Sequence, residues 1–147
     1  MNDQKIRLAS YSIAGIGAVD SIYLSYSKLA DQEVFCGSYG GCETVNNSSY
    51  AEIAGIPIAI LGIGTYLFII GLLYLEQRSR FWKEWSPMLV FGITLFGVIY
   101  SAFLTYVEIA ILRAICPYCV ISALAMLALF VLSVLRLVHL QAEVNPI

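Results

Sequence analysis

Four cysteines are the residues of this 147-residue chain best suited to covalent chemistry, and they fall into two pairs of different spacing. Cys116-Pro117-Tyr118-Cys119 is a C-x-x-C motif at the head of an apolar run. Pro117 suits the first turn of a helix, where its missing N–H costs nothing, which sets Cys116 near the cap and Cys119 within the first turn. Unpaired N–H groups and the positive end of the helix dipole favour thiolate over thiol there, so the placement is a reactive one. The other uses of such a pair are a zinc half-site or an inert disulfide. Zinc needs four converging ligands, and the single histidine, His139, lies at the opposite end of the last helix. All four cysteines would have to meet on one ion, and no metal site is expected.

Cys36 and Cys42 form a C-x5-C pair with Gly37, Gly40 and Gly41 between them. The glycines leave the connection flexible enough to close a disulfide or to let either sulfur swing toward another thiol. A stapled surface loop is the alternative for this pair taken alone. Together, a flexible outer pair and a pair near lipid meet the needs of an electron relay, because thiol–disulfide exchange proceeds by direct sulfur attack. The acceptor must then be soluble in the membrane. One distal histidine and these cysteines do not readily assemble a haem, flavin or iron–sulfur ligand set, and a lipid-soluble quinone fits by elimination.

The elements that position these cysteines are read from hydropathy. The chain is 60% hydrophobic and 12% charged, against about 25% charged in an ordinary soluble domain. Eight bases against ten acids exclude the basic balance of a nucleic-acid binder. A helix needs roughly 20 apolar residues to cross the hydrocarbon core. Charge-free windows of that length run over residues 56–75, 88–107 and 116–135, and a fourth, 8–27, carries Asp20 near its middle. Reading 8–19 as the apolar part of a cleaved leader behind Lys5 and Arg7 is the alternative, but the apolar stretch resumes after Asp20 with no clean small-x-small site. The expectation is an all-α membrane protein: one domain over 1–147, a four-helix bundle with an outer capping loop over 28–55.

Four spans put both termini on one side. Lys5, Arg7, Arg78, Arg80, Lys83 and Arg136 fall on that side, against Lys28 and Arg113 on the other. The positive-inside rule then places the termini in the cytoplasm and all four cysteines on the outer face of the cell membrane, where disulfides persist. Trp82 and Trp85 flank the cytoplasmic loop as interfacial anchors. Asp20 and Glu108, the acids inside or at the edge of spans, are candidates for proton handling. Glu108 has a second reading as a hydrated group or a partner of Arg113. Asn46 and Asn47 each begin an N-x-S triplet, relevant only in a glycosylating host.

From about Ser10 to Leu135 the chain resembles the vitamin K epoxide reductase family in its bacterial and archaeal form. The resemblance rests on an ordered set: C-x5-C, then Ser48, then Tyr50-Ala51-Glu52-Ile53-Ala54-Gly55-Ile56-Pro57 leading into a span, then C-x-x-C at the last helix. Quinone-coupled disulfide generators of DsbB type place their C-x-x-C in the first outer loop instead. The resemblance implies a bundle around a quinone, ubiquinone or menaquinone, with Cys116 and Cys119 as the active-site pair and Cys119 facing the quinone. It makes Cys36 and Cys42 the shuttle pair, which carries electrons from an exported thioredoxin-like (DsbA-like) protein to Cys116. Ser48 matches a characteristic family serine that helps hold the cap near the quinone; its other reading is a turn serine.

Two departures shape the expectation. Animal members contact the quinone carbonyls with an asparagine and a tyrosine, and an alignment anchored on Gly62, Tyr66 and Cys119 puts Ile58 and Ala123 at those positions. Vitamin K epoxide reduction is therefore not implied. Some bacterial members carry a fused thioredoxin-like domain, whereas about a dozen residues follow Leu135, so a partner in trans is expected. The function expected is oxidation of an exported thioredoxin-like protein at the expense of a quinone. The alternative is a non-catalytic membrane scaffold with structural disulfides.

Overall fold

The long apolar runs fold as helices because their backbone polar groups can be satisfied only within the segment. The computed structural model describes residues 2–36 and 40–145. In chain order the elements are α1 (Asp3–Leu29), α2 (Cys42–Asn46), a 3-10 turn (Ser49–Ala51), strands β1 (Glu52–Ile53) and β2 (Ile56–Pro57), and α3 (Ile58–Arg78). Then follow α4 (Arg80–Tyr106), a π-helical segment (Val107–Leu112) and α5 (Pro117–Val144). Gly37, Ser38 and Tyr39, most of the flexible link expected between Cys36 and Cys42, lie outside the described residues.

The long helices close into a ring, α1 against α3 and α5, and α4 against α3 and α5. The core of the ring is Ala14 and Ala18 from α1, Tyr66, Ile69, Leu72 and Leu73 from α3, Val90 from α4, and Ala125, Met126 and Leu129 from α5. Gly17 lets α1 approach the ring of Tyr66 so closely that a Cβ would collide with it. Among the described residues, three elements are long and apolar enough to cross a membrane: α3, α4 with the π segment, and α5. Their outer faces carry large apolar side chains, such as Phe96 at 71% exposure, with Phe68, Ile99 and Phe103. A continuous apolar exterior of this kind suits lipid and not water.

Several expected boundaries are corrected. The second apolar run begins as a hairpin: Glu52 pairs with Pro57 and Ile53 with Ile56. Ala54 and Gly55, at φ 53° and 81°, turn the chain in two residues. Helix α3 therefore starts at Ile58. No loop separates the second and third runs, because Ser79 alone, in extended conformation, breaks α3 from α4. Trp82 and Trp85 accordingly sit in the first turns of α4, Trp82 packed against the core and Trp85 exposed. Helix α5 continues past Leu135 to Val144.

The ring is pinned at the end remote from the cysteines by a buried ion cluster. Arg136 of α5 donates from Nε to Asp3 of α1 at 2.7 Å and from Nη1 to Glu76 of α3 at 2.8 Å. A second bond runs from Nη2 to Glu76. Arg136 and Glu76 are both almost fully buried. Such a cluster is tolerated only when each charge is met by its partners. Asp20 on α1 is also buried, and its Oδ2 has no hydrogen-bond partner among the described residues.

Candidate redox site

The site is built where the loop between α1 and α3 meets the head of α5. Pro117 is the first residue of α5, and Cys116 precedes it in extended conformation. The turn into this position is made by Arg113, whose φ of 50° is left-handed, and by the π segment behind it. A π turn carries one more residue than an α turn, and such turns recur at functional sites. Here it presents Glu108 to the interior. Glu108 is buried, and its Oε2 accepts the Cys116 backbone N–H at 3.4 Å. Its carboxyl also faces the Cys119 thiol. The hydrated or Arg113-paired Glu108 of the sequence reading is thus replaced by a buried one that addresses the C-x-x-C motif, because the extra residue of the π turn sets its direction.

The loop pair is delivered to the same place. Cys36 and Cys42 are joined in a disulfide, with Cα atoms 5.9 Å apart, whereas Cys116 and Cys119 are thiols that face each other. Cys42 and Cys116 are completely buried in one apolar cluster with Leu24, Val34 and Val45, and Cys36, Tyr118 and Cys119 pack against it. Gly41 makes the approach possible: a Cβ there would stand 2.5 Å from the Ile115 carbonyl oxygen and 2.7 Å from the Ile115 nitrogen. The segment before Cys36 is held by two tyrosines. Tyr118 donates to the Phe35 carbonyl at 2.7 Å, and the Phe35 N–H donates to the Tyr23 hydroxyl at 3.2 Å. The two rings lie 5.1 Å apart. Lys28 ties the far side of the loop to α1, donating to the Asn46 carbonyl at 2.8 Å and pairing with Glu52 at 2.9 Å.

Under this loop lies a cavity of about 470 Å³ between α3, α4 and α5, roofed by residues of the loop. Ser48, Ile58, Cys119 and Ala123 all line it, so the residues that the sequence reading assigned to one ligand share one space. Ser48 serves as a turn serine as well: its hydroxyl donates to the Val45 carbonyl at 2.7 Å. Tyr66, also lining the cavity, donates to the Ser122 carbonyl at 2.9 Å. Asp20 is not among the lining residues, whereas Glu108 is. Sequence reasoning missed Tyr23 and Tyr118. Tyr118 sits inside the C-x-x-C motif, but nothing in the sequence connects it with Phe35.

Apolar helices around a disulfide and a dithiol that share one cluster define the class, a helical membrane protein built around two cysteine pairs. The match to a family model, "Vitamin K epoxide reductase family", covers residues 8–134. The chain belongs to that family. It is also 34% identical over 122 residues to Thiol-disulfide oxidoreductase LTO1 of Arabidopsis thaliana. That alignment takes in 79% of this chain and 32% of the relative, so the chain spans about a third of the length of the curated relative it matches.

Proposed function

We propose that this chain is a quinone-dependent thiol–disulfide oxidoreductase that reoxidises a thioredoxin-like protein outside the cell membrane. The observation that carries the reading is the junction of three parts: the loop disulfide, the C-x-x-C thiols packed against it, and the cavity into which Cys119 opens. The name of the Arabidopsis relative and the family support the same chemistry.

A partner thiolate attacks the sulfur of Cys36, the more accessible member of the loop pair, and Cys42 leaves as the thiolate. The partner's second thiol then displaces Cys36 and departs as a disulfide. Cys42 stands buried beside Cys116, so the next exchange passes the electron pair to the Cys116–Cys119 disulfide without opening the loop. The cavity has the size of small-molecule sites, roughly 300–1,000 Å³. Its wall is mainly apolar, with a few polar groups such as Ser48, Tyr50 and Tyr66. These residues fit a planar lipid-soluble ring, and Ser48, Ile58, Cys119 and Ala123 would hold it. A bound quinone supplies a two-electron, two-proton acceptor.

Helix α1 is the fourth span in this reading. Ile16, Val19 and Ile22 face outward, and Asp20 is turned into the bundle, which reduces its cost in lipid. Arg136 is neutralised within its ion cluster and Lys28 by Glu52, so Lys5, Arg7, Arg78, Arg80 and Lys83 remain against Arg113, and the termini are cytoplasmic in this reading.

The test measures quinone reduction with two donors, a reduced thioredoxin-fold protein and a small dithiol. Cys36→Ser or Cys42→Ser is expected to abolish turnover with the protein donor and to leave turnover with the small dithiol, which reaches Cys116 directly. Equal loss with both donors, or no mixed disulfide between the wild-type chain and the protein donor, would support a scaffold with structural disulfides.

A further inference from the structure

Oxidising a dithiol releases two protons as well as two electrons, and of the C-x-x-C pair Cys116 is fully buried while Cys119 is half-buried and lines the cavity. The side chains that line the cavity with Cys119 are placed to receive a proton from it. Of the side chains that line the cavity with Cys119, Glu108 is the only carboxyl among the described residues, and no lysine or arginine lines it. The other titratable groups of the wall are Tyr50, Tyr66 and Tyr100. On α2, which packs against the π segment, Cys42 is committed to the disulfide and Glu43 is exposed.

The direction of Glu108 is set by backbone geometry. The Cys116 N–H holds Oε2 at 3.4 Å, and the Ala114 N–H closes the π segment on the Glu108 carbonyl at 3.0 Å. The carboxyl consequently bridges the head of α5 and the cavity wall. The side chain of a hydrated surface acid would not accept the Cys116 N–H.

We infer that Glu108 is the proton acceptor for the Cys119 thiol, and that it carries this proton from the dithiol into the cavity. The inference rests on the proposed function for its electron acceptor. In the step, the Cys119 S–H bond breaks and a Glu108 O–H bond forms, leaving a thiolate and a neutral carboxylic acid. The thiol pair then becomes a disulfide by giving two electrons to a quinone-class acceptor. The second proton leaves from Cys116. The Glu108 proton is free to enter the cavity, which returns the carboxylate for the next cycle.

The test uses Cys116→Ser, in which the loop disulfide leaves Cys119 as the one reactive thiol, and needs no quinone. The rate of alkylation of Cys119 by a small uncharged maleimide is followed between pH 4 and 10 with Glu108 present, with Glu108→Gln and with Glu108→Asp. A thiol that shares a proton with a carboxylate gives a two-step profile with a plateau between the steps. With Glu108→Gln a single step is expected, falling about tenfold per pH unit on its acid side. Glu108→Asp is expected to restore two steps. The amide oxygen of Glu108→Gln can still accept the Cys116 N–H, so the loop geometry is kept. One single-step profile shared by all three proteins overturns the inference, and so does faster alkylation in Glu108→Gln at every pH, which would make the carboxylate merely repulsive. In the otherwise wild-type chain, Glu108→Gln is expected to slow quinone reduction by roughly 10²-fold, the lower range for a lost acid–base group. A wild-type chain that reduces no quinone would overturn the proposed function, while the alkylation profiles still decide the role of Glu108.

Discussion

Tyr118 reaches out of the C-x-x-C motif to donate its hydroxyl hydrogen to the carbonyl of Phe35, the residue before Cys36, at 2.7 Å. The motif thus holds the chain that delivers the other cysteine pair. Tyr23 completes the clamp from α1.

Tyr118→Phe keeps the tilted ring contact with Tyr23 and removes this bond. A hydrogen bond of this kind contributes about 0.5–1.5 kcal/mol, so the ratio of docked to undocked loop should fall about 2- to 13-fold. Turnover with a protein thiol donor is expected to fall by up to that factor, and more than turnover with a small dithiol, which should stay unchanged. An equal fall for both donors would mean that Tyr118 acts on Cys116 or Cys119 themselves.

Gly41→Ala puts a Cβ against the backbone of Ile115, where no side chain can yield. Overpacking of this sort costs about 1–3 kcal/mol. The variant should melt at lower temperature, and Cys42 should form far less mixed disulfide with Cys116 in a Cys36→Ser/Cys119→Ser background. An unchanged trapping yield would show that α2 does not need its close seat on the head of α5.

Glu76→Gln leaves Arg136 partly unpaired in the bundle, and breaking a buried pair from one side costs about 3–5 kcal/mol. Thermal unfolding in detergent should reveal a large loss. The combined Arg136→Met/Glu76→Gln protein should recover most of it, because no buried cation is then left over. No recovery in the double variant would mean that Arg136 packs α5 by shape, with its charge incidental.

A membrane-impermeant maleimide, added to intact cells after mild reduction, should label Cys36 from outside. Labelling only from the cytoplasmic side of inverted vesicles would reverse the orientation and move the thiol partner into the cytoplasm.

The cysteines were legible because their spacing, and Pro117 between two of them, report local chemistry. The long helices were legible because hydropathy alone demands them. The hairpin at Ala54 and Gly55 was not: the apolar run is continuous across Ile56 and Pro57, and only the positive φ values reveal the turn. The partner of Glu108 depends on a π turn, a difference of one residue in register that no apolar period records. Tyr118 and Phe35 lie 83 positions apart, and Arg136 and Asp3 lie 133 apart. Contacts of that range follow from how the ring closes, and an unaligned sequence carries no signal for them. Ser48 was read as either a turn serine or a ligand contact; the structure places it in the turn and in the cavity wall at once.

The cavity beside Cys119 reaches the outer surface of the ring, since Leu61 of α3 and Phe96 of α4 belong to its wall and are 43% and 71% exposed. A molecule that enters on this side of the ring arrives sideways, from among acyl chains. Its effective supply is then a mole fraction in the bilayer and not a molarity in the buffer. Adding inert lipid or detergent at a fixed total amount of such a molecule dilutes it, so half-saturation should track the ratio of molecule to lipid and be indifferent to the aqueous volume.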